Sequence, residues 1–180
     1  INKIIKSNLL TDKKATVLNI QKYSSPKLLH IASHSYYLPS KEGENSLLRS
    51  GIVLAGANNP FFNPIDDGYL TALEATNLNL DGTDLVVISG GEPLIWNMSP
   101  LTDSLKKFNK KVHLETSGAY ELSGNWDWIC LSPKKNKQPI PDIYKKANEL
   151  KVIVYNKNDL KFAKQNAKNV EKNCKLFLQP

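Results

Sequence analysis

Asp84-Leu-Val-Val-Ile-Ser-Gly-Gly-Glu-Pro93 is the stretch on which the fold turns. Its apolar run is continuous rather than alternating in polarity, the pattern of a strand covered on both faces of a parallel sheet. Ser89 closes the run, and Gly90-Gly-Glu-Pro93 makes a strand-to-helix turn. The segment therefore reads as a buried strand delivering a tight loop at its carboxyl end.

The same alternation continues outward in both directions. Strand patterns occupy residues 27–33, 51–55, 111–115, 128–131, 151–154 and 175–178, and helix patterns residues 11–21, 71–77, 100–108, 141–150 and 159–171. Pro141 suits a first helical turn, and Asn158-Asp159 caps the apolar series Leu160, Phe162, Ala163, Ala167 and Val170. Residues 38–68 hold several turn signals and one short strand, which predicts a loop-rich surface. No internal repeat interrupts this order. The fold class expected is α/β: a layered, mostly parallel sheet flanked by helices, with functional loops after the carboxyl ends of its strands.

The chain has 180 residues, the length of one domain with a single core. It opens at Ile1 rather than a methionine. No apolar run approaches the roughly 18 residues a membrane helix needs, and residues 1–20 lack the apolar core of a secretory signal, so a soluble, cytoplasmic protein is expected. The net charge is +7 and unevenly placed. Residues 1–89 balance seven Lys and one Arg against eight acids, whereas residues 90–180 carry sixteen Lys against nine acids. Arg49 is the only arginine and lies in the neutral half, so bidentate base reading has no donors and specific nucleic-acid binding is not expected. The lysines read first as a solvated surface, with phosphates or acidic proteins as the functional alternative and nucleic acid bound weakly and salt-sensitively at best. Cys130 and Cys174 stand 44 residues apart inside apolar runs. Neither a zinc site nor a cysteine-held cluster can be built from them, and no metal is expected.

The first half resembles the CHAT domain, a caspase-like cysteine peptidase family. The matching text is Lys27-Leu-Leu-His-Ile-Ala-Ser-His34, then Glu44-Asn-Ser-Leu-Leu-Arg-Ser-Gly-Ile-Val-Leu-Ala-Gly-Ala-Asn58, Asp66-Asp-Gly-Tyr-Leu-Thr-Ala-Leu-Glu-Ala-Thr-Asn77 and Leu85-Val-Val-Ile-Ser89. The resemblance implies a histidine at a strand end, His34, acting as base for a cysteine nucleophile after a later strand. That nucleophile position is Gly91 here, so His34 is vestigial. Ser35 stands where the family usually has glycine, which alters the local oxyanion geometry. Cys130 and Cys174, far along the chain in predicted strands, are not expected to substitute.

From Gly90 onward the chain resembles the later portion of the 7-carboxy-7-deazaguanine synthases, radical S-adenosylmethionine enzymes of the queuosine and deazapurine pathway. The match runs through Gly90-Gly-Glu-Pro93, His113-Leu-Glu-Thr-Ser-Gly-Ala-Tyr120, Trp126-Asp-Trp-Ile-Cys-Leu-Ser-Pro-Lys-Lys135, Leu150-Lys-Val-Ile-Val-Tyr-Asn156 and Leu176-Phe-Leu-Gln-Pro180. It implies a partial (β/α) barrel with Gly90, Gly91, Glu92, Ser117, Ser132, Lys134 and Gln179 on the S-adenosylmethionine side. These types suit a zwitterionic methionine tail, with Glu92 accepting from its ammonium and Lys134 donating to its carboxylate. The family's three clustered cysteines lie upstream of everything matched, and its substrate site draws on a stretch beyond the final Leu-Gln-Pro. An iron-sulfur cluster is therefore not expected.

The domain reading is a caspase-like fragment over residues 1–89 joined to a barrel fragment over residues 90–180 in one compact unit. Three functions stand beside one another. One is a non-catalytic composite that binds a protein or other macromolecule through a sheet edge or the lysine-rich half, with no cofactor. Another is an S-adenosylmethionine-binding or 7-carboxy-7-deazaguanine synthase-like enzyme, and the third a CHAT-type peptidase. His30 and His113 read as satisfied structural histidines, and Trp126 and Trp128 as packing residues.

Overall fold

The computed structural model describes residues 6–39, 43–58 and 66–180. The turn-rich reading of residues 40–42 and 59–65 lies outside the described residues. In chain order the strands are β1 (Leu28–Ala32), β2 (His34–Tyr37), β3 (Ser50–Val53), β4 (Tyr69–Thr71), β5 (Leu85–Ser89), β6 (Lys111–Thr116), β7 (Trp128–Leu131), β8 (Glu149–Ile153) and β9 (Lys175–Gln179). The helices are α1 (Val17–Gln21), α2 (Ala72–Ala75), α3 (Ser99–Lys107), α4 (Pro141–Lys146) and α5 (Lys157–Ala167). Six strands form a wholly parallel sheet in the order β1-β5-β6-β7-β8-β9, and β2-β3-β4 form a smaller antiparallel sheet.

The main sheet runs through the change of pattern at Ser89. On one side β5 pairs with β1 from Leu28↔Leu85 to Ala32↔Ser89, and on the other with β6 from Leu85↔Lys111 to Ile88↔Leu114. One apolar strand thus serves both parts of the sequence. Side chains alternate across a strand, so Ile31, Val86, Ile88, Val112, Leu114, Ile129, Leu131, Leu150 and Val152 share one face, and all are buried. The core they form also takes in Leu101 and Leu105 of α3, Ile143 of α4 and Ala163 of α5.

The opposite face departs from expectation. The continuous apolar runs predict coverage on both sides, yet His30, His113, Glu115, Trp128, Glu149, Lys151 and Phe177 share a face on which each is partly or wholly accessible. Polar residues at every second position of β6 and β8 leave that face wet. Two further corrections concern boundaries. The helix read over residues 141–150 ends at Lys146, because Glu149 and Leu150 pair with β7 and β9. The helix read over residues 11–21 is a 3-10 turn at Asp12–Lys14 followed by α1, separated at Thr16, whose hydroxyl accepts from the Asn19 N–H. Strands β2 and β4, too short to show a period, have no counterpart among the predicted strands.

Side chains fix the helix starts. Thr71 and Glu74 form a reciprocal capping box on α2, with bonds of 3.0 and 2.9 Å. Asn156 and Asp159 do the same for α5. The Asp159 carboxylate accepts from the N–H groups of Tyr155 and Asn156 at 2.9 and 3.0 Å and from the Lys135 ammonium. Lys135 first, then these backbone donors, hold its carboxyl below the usual carboxylate range. A lowered folded-state pKa stabilises above the unfolded value and is lost as the pH falls through the folded one. Asp159→Asn is therefore expected to destabilise the protein at neutral pH and to make its loss of stability on acidification shallower. Urea denaturation at about pH 7 and about pH 3 reads both effects, and identical slopes for the two proteins would contradict this role.

Candidate functional site

Ligands of open parallel sheets bind outside the carboxyl ends of the strands, and the loops following β5, β6 and β7 meet there. Gly90 has φ of 85° and Gly91 φ of 52°. A Cβ at Gly90 would lie 2.6 Å from the Ala32 carbonyl carbon and the Ser33 nitrogen, so the loop passes β1 at a separation only glycine allows. The Ser33 N–H donates to the Ser89 carbonyl at 2.9 Å at this point. His34, just beyond, faces Gly91: a Cβ there would stand 2.8 Å from Cδ2 and 3.2 Å from Nε2 of the imidazole. Buried Ser35 donates to the Pro93 carbonyl at 3.1 Å and ties β2 to the same loop. The imidazole thus lies against Gly91, the position where the resemblance expected the nucleophile, and glycine offers no side chain there.

Glu92 caps the 3-10 turn Pro93–Ile95 and bridges two strand ends. Its Oε1 accepts from the Thr116 hydroxyl at 2.5 Å and the Leu94 N–H at 3.3 Å, and its Oε2 from the Ser117 N–H at 2.7 Å and the Ser117 hydroxyl. Two carboxylate oxygens offer about four acceptor directions, so the chain's own donors occupy them all. A ligand ammonium would have to displace one. Across the next gap, the Ser132 N–H donates to the Thr116 carbonyl at 2.7 Å, and Lys134 Nζ donates to the Ser132 hydroxyl at 3.1 Å. Gly90, Gly91, Glu92, Ser117, Ser132 and Lys134 therefore lie along three adjacent strand ends. Gln179 does not join them: it ends β9, with β8 between it and β7, and its carbonyl accepts from the Val154 N–H at 2.8 Å. An open cleft of about 470 Å³ lies at the opposite end of the sheet, against Trp126, Ile129, Lys146 and Asn148, and does not include Glu92, Ser132 or Lys134.

Sequence reading missed the polar cluster on the wet face of the sheet. His30 Nε2 and Ser89 Oγ are 2.7 Å apart, Lys151 pairs with Glu115 at 2.6 Å, and Glu149 accepts from Trp128 Nε1 at 3.1 Å and from the Cys130 thiol at 3.4 Å. His113 stacks on Trp128 with centroids 6.0 Å apart, and the Lys175 ammonium lies 5.1 Å from the same ring. The alternation of His113 with Glu115 and of Glu149 with Lys151 was the available signal. Burial lowers the His30 pKa, keeping the ring neutral near pH 7. Burial first, then the neighbouring Glu149, pushes the Cys130 thiol up to about 12. Cys130 is therefore expected to resist iodoacetamide at about pH 8 in the folded protein and to react once the protein is unfolded, as mass spectrometry reads. Rapid labelling of the native chain would contradict its environment.

Among the described residues no three His, Cys, Asp or Glu side chains converge as metal ligands. With two cysteines, the sequence given cannot supply the three clustered thiolates of a radical-enzyme iron-sulfur cluster, and the residues present do not fit that group.

Fold and site together define an α/β protein with a histidine at the start of β2, just past β1, facing the loop after β5. The chain belongs to the CHAT domain family, whose sequence model matches residues 1–93. The 7-carboxy-7-deazaguanine synthase of Flavobacterium psychrophilum is 58% identical over 94 residues, 52% of this chain and 45% of that protein. The synthase of Synechocystis is 49% identical over 94 residues, with the same shares. The crystal structure of QueE from Escherichia coli aligns at 33% identity with a TM-score of 0.48, covering 53% of this chain and 45% of that one. The matched part spans less than half the length of these relatives.

Proposed function

We propose that this chain is a binding protein rather than a catalyst and that it docks a protein partner on the outer edge of β9. The observation that carries this reading is the state of that edge. β9 ends the sheet order, and its Leu176, Phe177 and Leu178 are 59%, 50% and 58% exposed. An apolar edge strand of this kind is a template for a further strand. The glycine at position 91, where the CHAT resemblance expects the nucleophile, and the lack of three clustered cysteines in the sequence given support binding over either chemistry. The reading places the protein in the cytoplasm, and among the described residues no helix is long and apolar enough to cross a membrane.

Selection from a display library of short random peptides tests the proposal. Wild-type protein is expected to return extended binders with alternating apolar residues, and Leu178→Pro to lose them. Binders indifferent to that substitution would overturn the reading.

A second reading, S-adenosylmethionine binding at the strand ends, draws support from the name shared by the relatives and from the adjacency of Glu92, Ser117, Ser132 and Lys134. It requires a thermal shift with S-adenosylmethionine that Lys134→Ala removes. The absence of such a shift would leave the edge as the docking site.

A further inference from the structure

We infer that the strand completing β9 is acidic: an extended segment alternating apolar residues with Asp or Glu. This rests on the docking reading above and names its partner by chemistry. Lys175 N–H donates to the Asn148 carbonyl at 2.9 Å, and the Gln179 carbonyl accepts from Val154 N–H at 2.8 Å, so these peptide groups point toward β8. Peptide groups alternate in direction along a strand, which turns those of Leu176 and Leu178 away from the sheet. No other described residue pairs with them, so they offer two N–H and two C=O groups in register for one added strand. The side chains of Leu176 and Leu178 lie on the helix-bearing face and that of Phe177 on the wet face, so the added strand finds apolar surface on both sides.

Charge decides which strand. Residues 160–180 contain five Lys and one acid, Glu171. Lys161, Lys164 and Lys168 recur along the exposed side of α5 and its cap, opposite the buried Ala163 and Asn166; Lys172 precedes β9, and Lys175 begins it with its ammonium turned toward the Trp128 ring. All five are exposed. A second copy would bring two such lysine-rich segments together at the junction, and like charges across a strand pair oppose association. A row of carboxylates on the incoming strand neutralises them and speeds encounter. Nucleic acid would meet the charge but could not use the peptide ladder.

The test uses the full chain and two labelled peptides of about ten residues, one alternating Val with Glu and one alternating Val with Lys, read by fluorescence anisotropy. The Val-Glu peptide is expected to bind at least about tenfold more tightly, and to lose several-fold in affinity between roughly 50 and 300 mM salt. The double variant Lys172→Glu, Lys175→Glu is expected to abolish the preference. Leu178→Pro removes an outward N–H that the β8 ladder does not use and is expected to abolish binding of the Val-Glu peptide. If that variant fails to fold, slowed hydrogen exchange at the Leu176 and Leu178 amides on adding the peptide gives the same answer. Equal affinity for the two peptides, unaffected by salt, would overturn the acidic partner while leaving the edge in use. Binding that ignores Leu178→Pro and leaves both amides unprotected would overturn the edge itself. Sedimentation showing a dimer that Leu178→Pro dissociates would make the occupant a second copy and overturn the inference.

Discussion

Gly90→Ala is expected to lower the stability of the protein by about 3 kcal/mol, with a fall in melting temperature on the order of 10 °C. Two costs add. An L-residue at φ of 85° is strained by roughly 1–2 kcal/mol, and the new methyl would lie 2.6 Å from backbone atoms of Ala32 and Ser33 that cannot rotate aside. Relief requires β1 and β5 to part where the Ser33 N–H meets the Ser89 carbonyl. Gly43→Ala is the matched control. Its φ is 86°, but a Cβ there meets none of the described residues within 4 Å, so only the strain remains. Urea denaturation separates the two variants. A Gly90→Ala protein no less stable than Gly43→Ala would show that the close approach to β1 does not limit the loop.

Glu92→Gln is the second large effect, a loss of about 2 kcal/mol. Its carboxylate collects four donors from three residues, and an amide NH₂ in place of one oxygen sets donor against donor. The Ser117 N–H is fixed by the backbone and cannot reorient. The Thr116 and Ser117 hydroxyls can rotate, which limits the cost to less than that of an unpaired buried charge. Because the same bonds are removed from either end, Glu92→Gln and Thr116→Val are expected to be non-additive by about 1 kcal/mol in a double-mutant cycle. Strict additivity would mean that the β5 loop and the end of β6 are held together by something else.

The parallel sheet was legible because its strands are short segments of recurring apolar residues bounded by turn signals: residues 84–89, 111–115 and 128–131 match β5, β6 and β7 to within a residue. The turn at Gly90 was legible for a related reason, since two successive glycines after such a run permit left-handed backbone. The accessibility of the second face was less so. Whether Lys151 or Glu149 points to water depends on which strands lie beside β8 and what covers them, and neither neighbour is local in sequence. The same limit applies to the candidate site. Glu92 reads as a residue available to a ligand when only its chemistry is considered, but its partners Thr116 and Ser117 come from a strand more than twenty residues away. His30 read correctly as satisfied, though its partner Ser89, 59 residues distant, could not be named from the sequence.

The two-sided pairing of β5 also orders events on the ribosome. Among the described residues β1 pairs in the main sheet with β5 alone, which begins at Leu85, 57 residues after Leu28. At roughly 5–20 residues per second, the edge of β1 waits several seconds for it. Once Leu85–Ser89 emerges, that single strand closes the early segment and opens a template for β6, β7, β8 and β9, each of which adds outward in turn. Growth of the sheet in chain order is expected to run from β5 toward β9, whose outer edge none of the described residues pairs with.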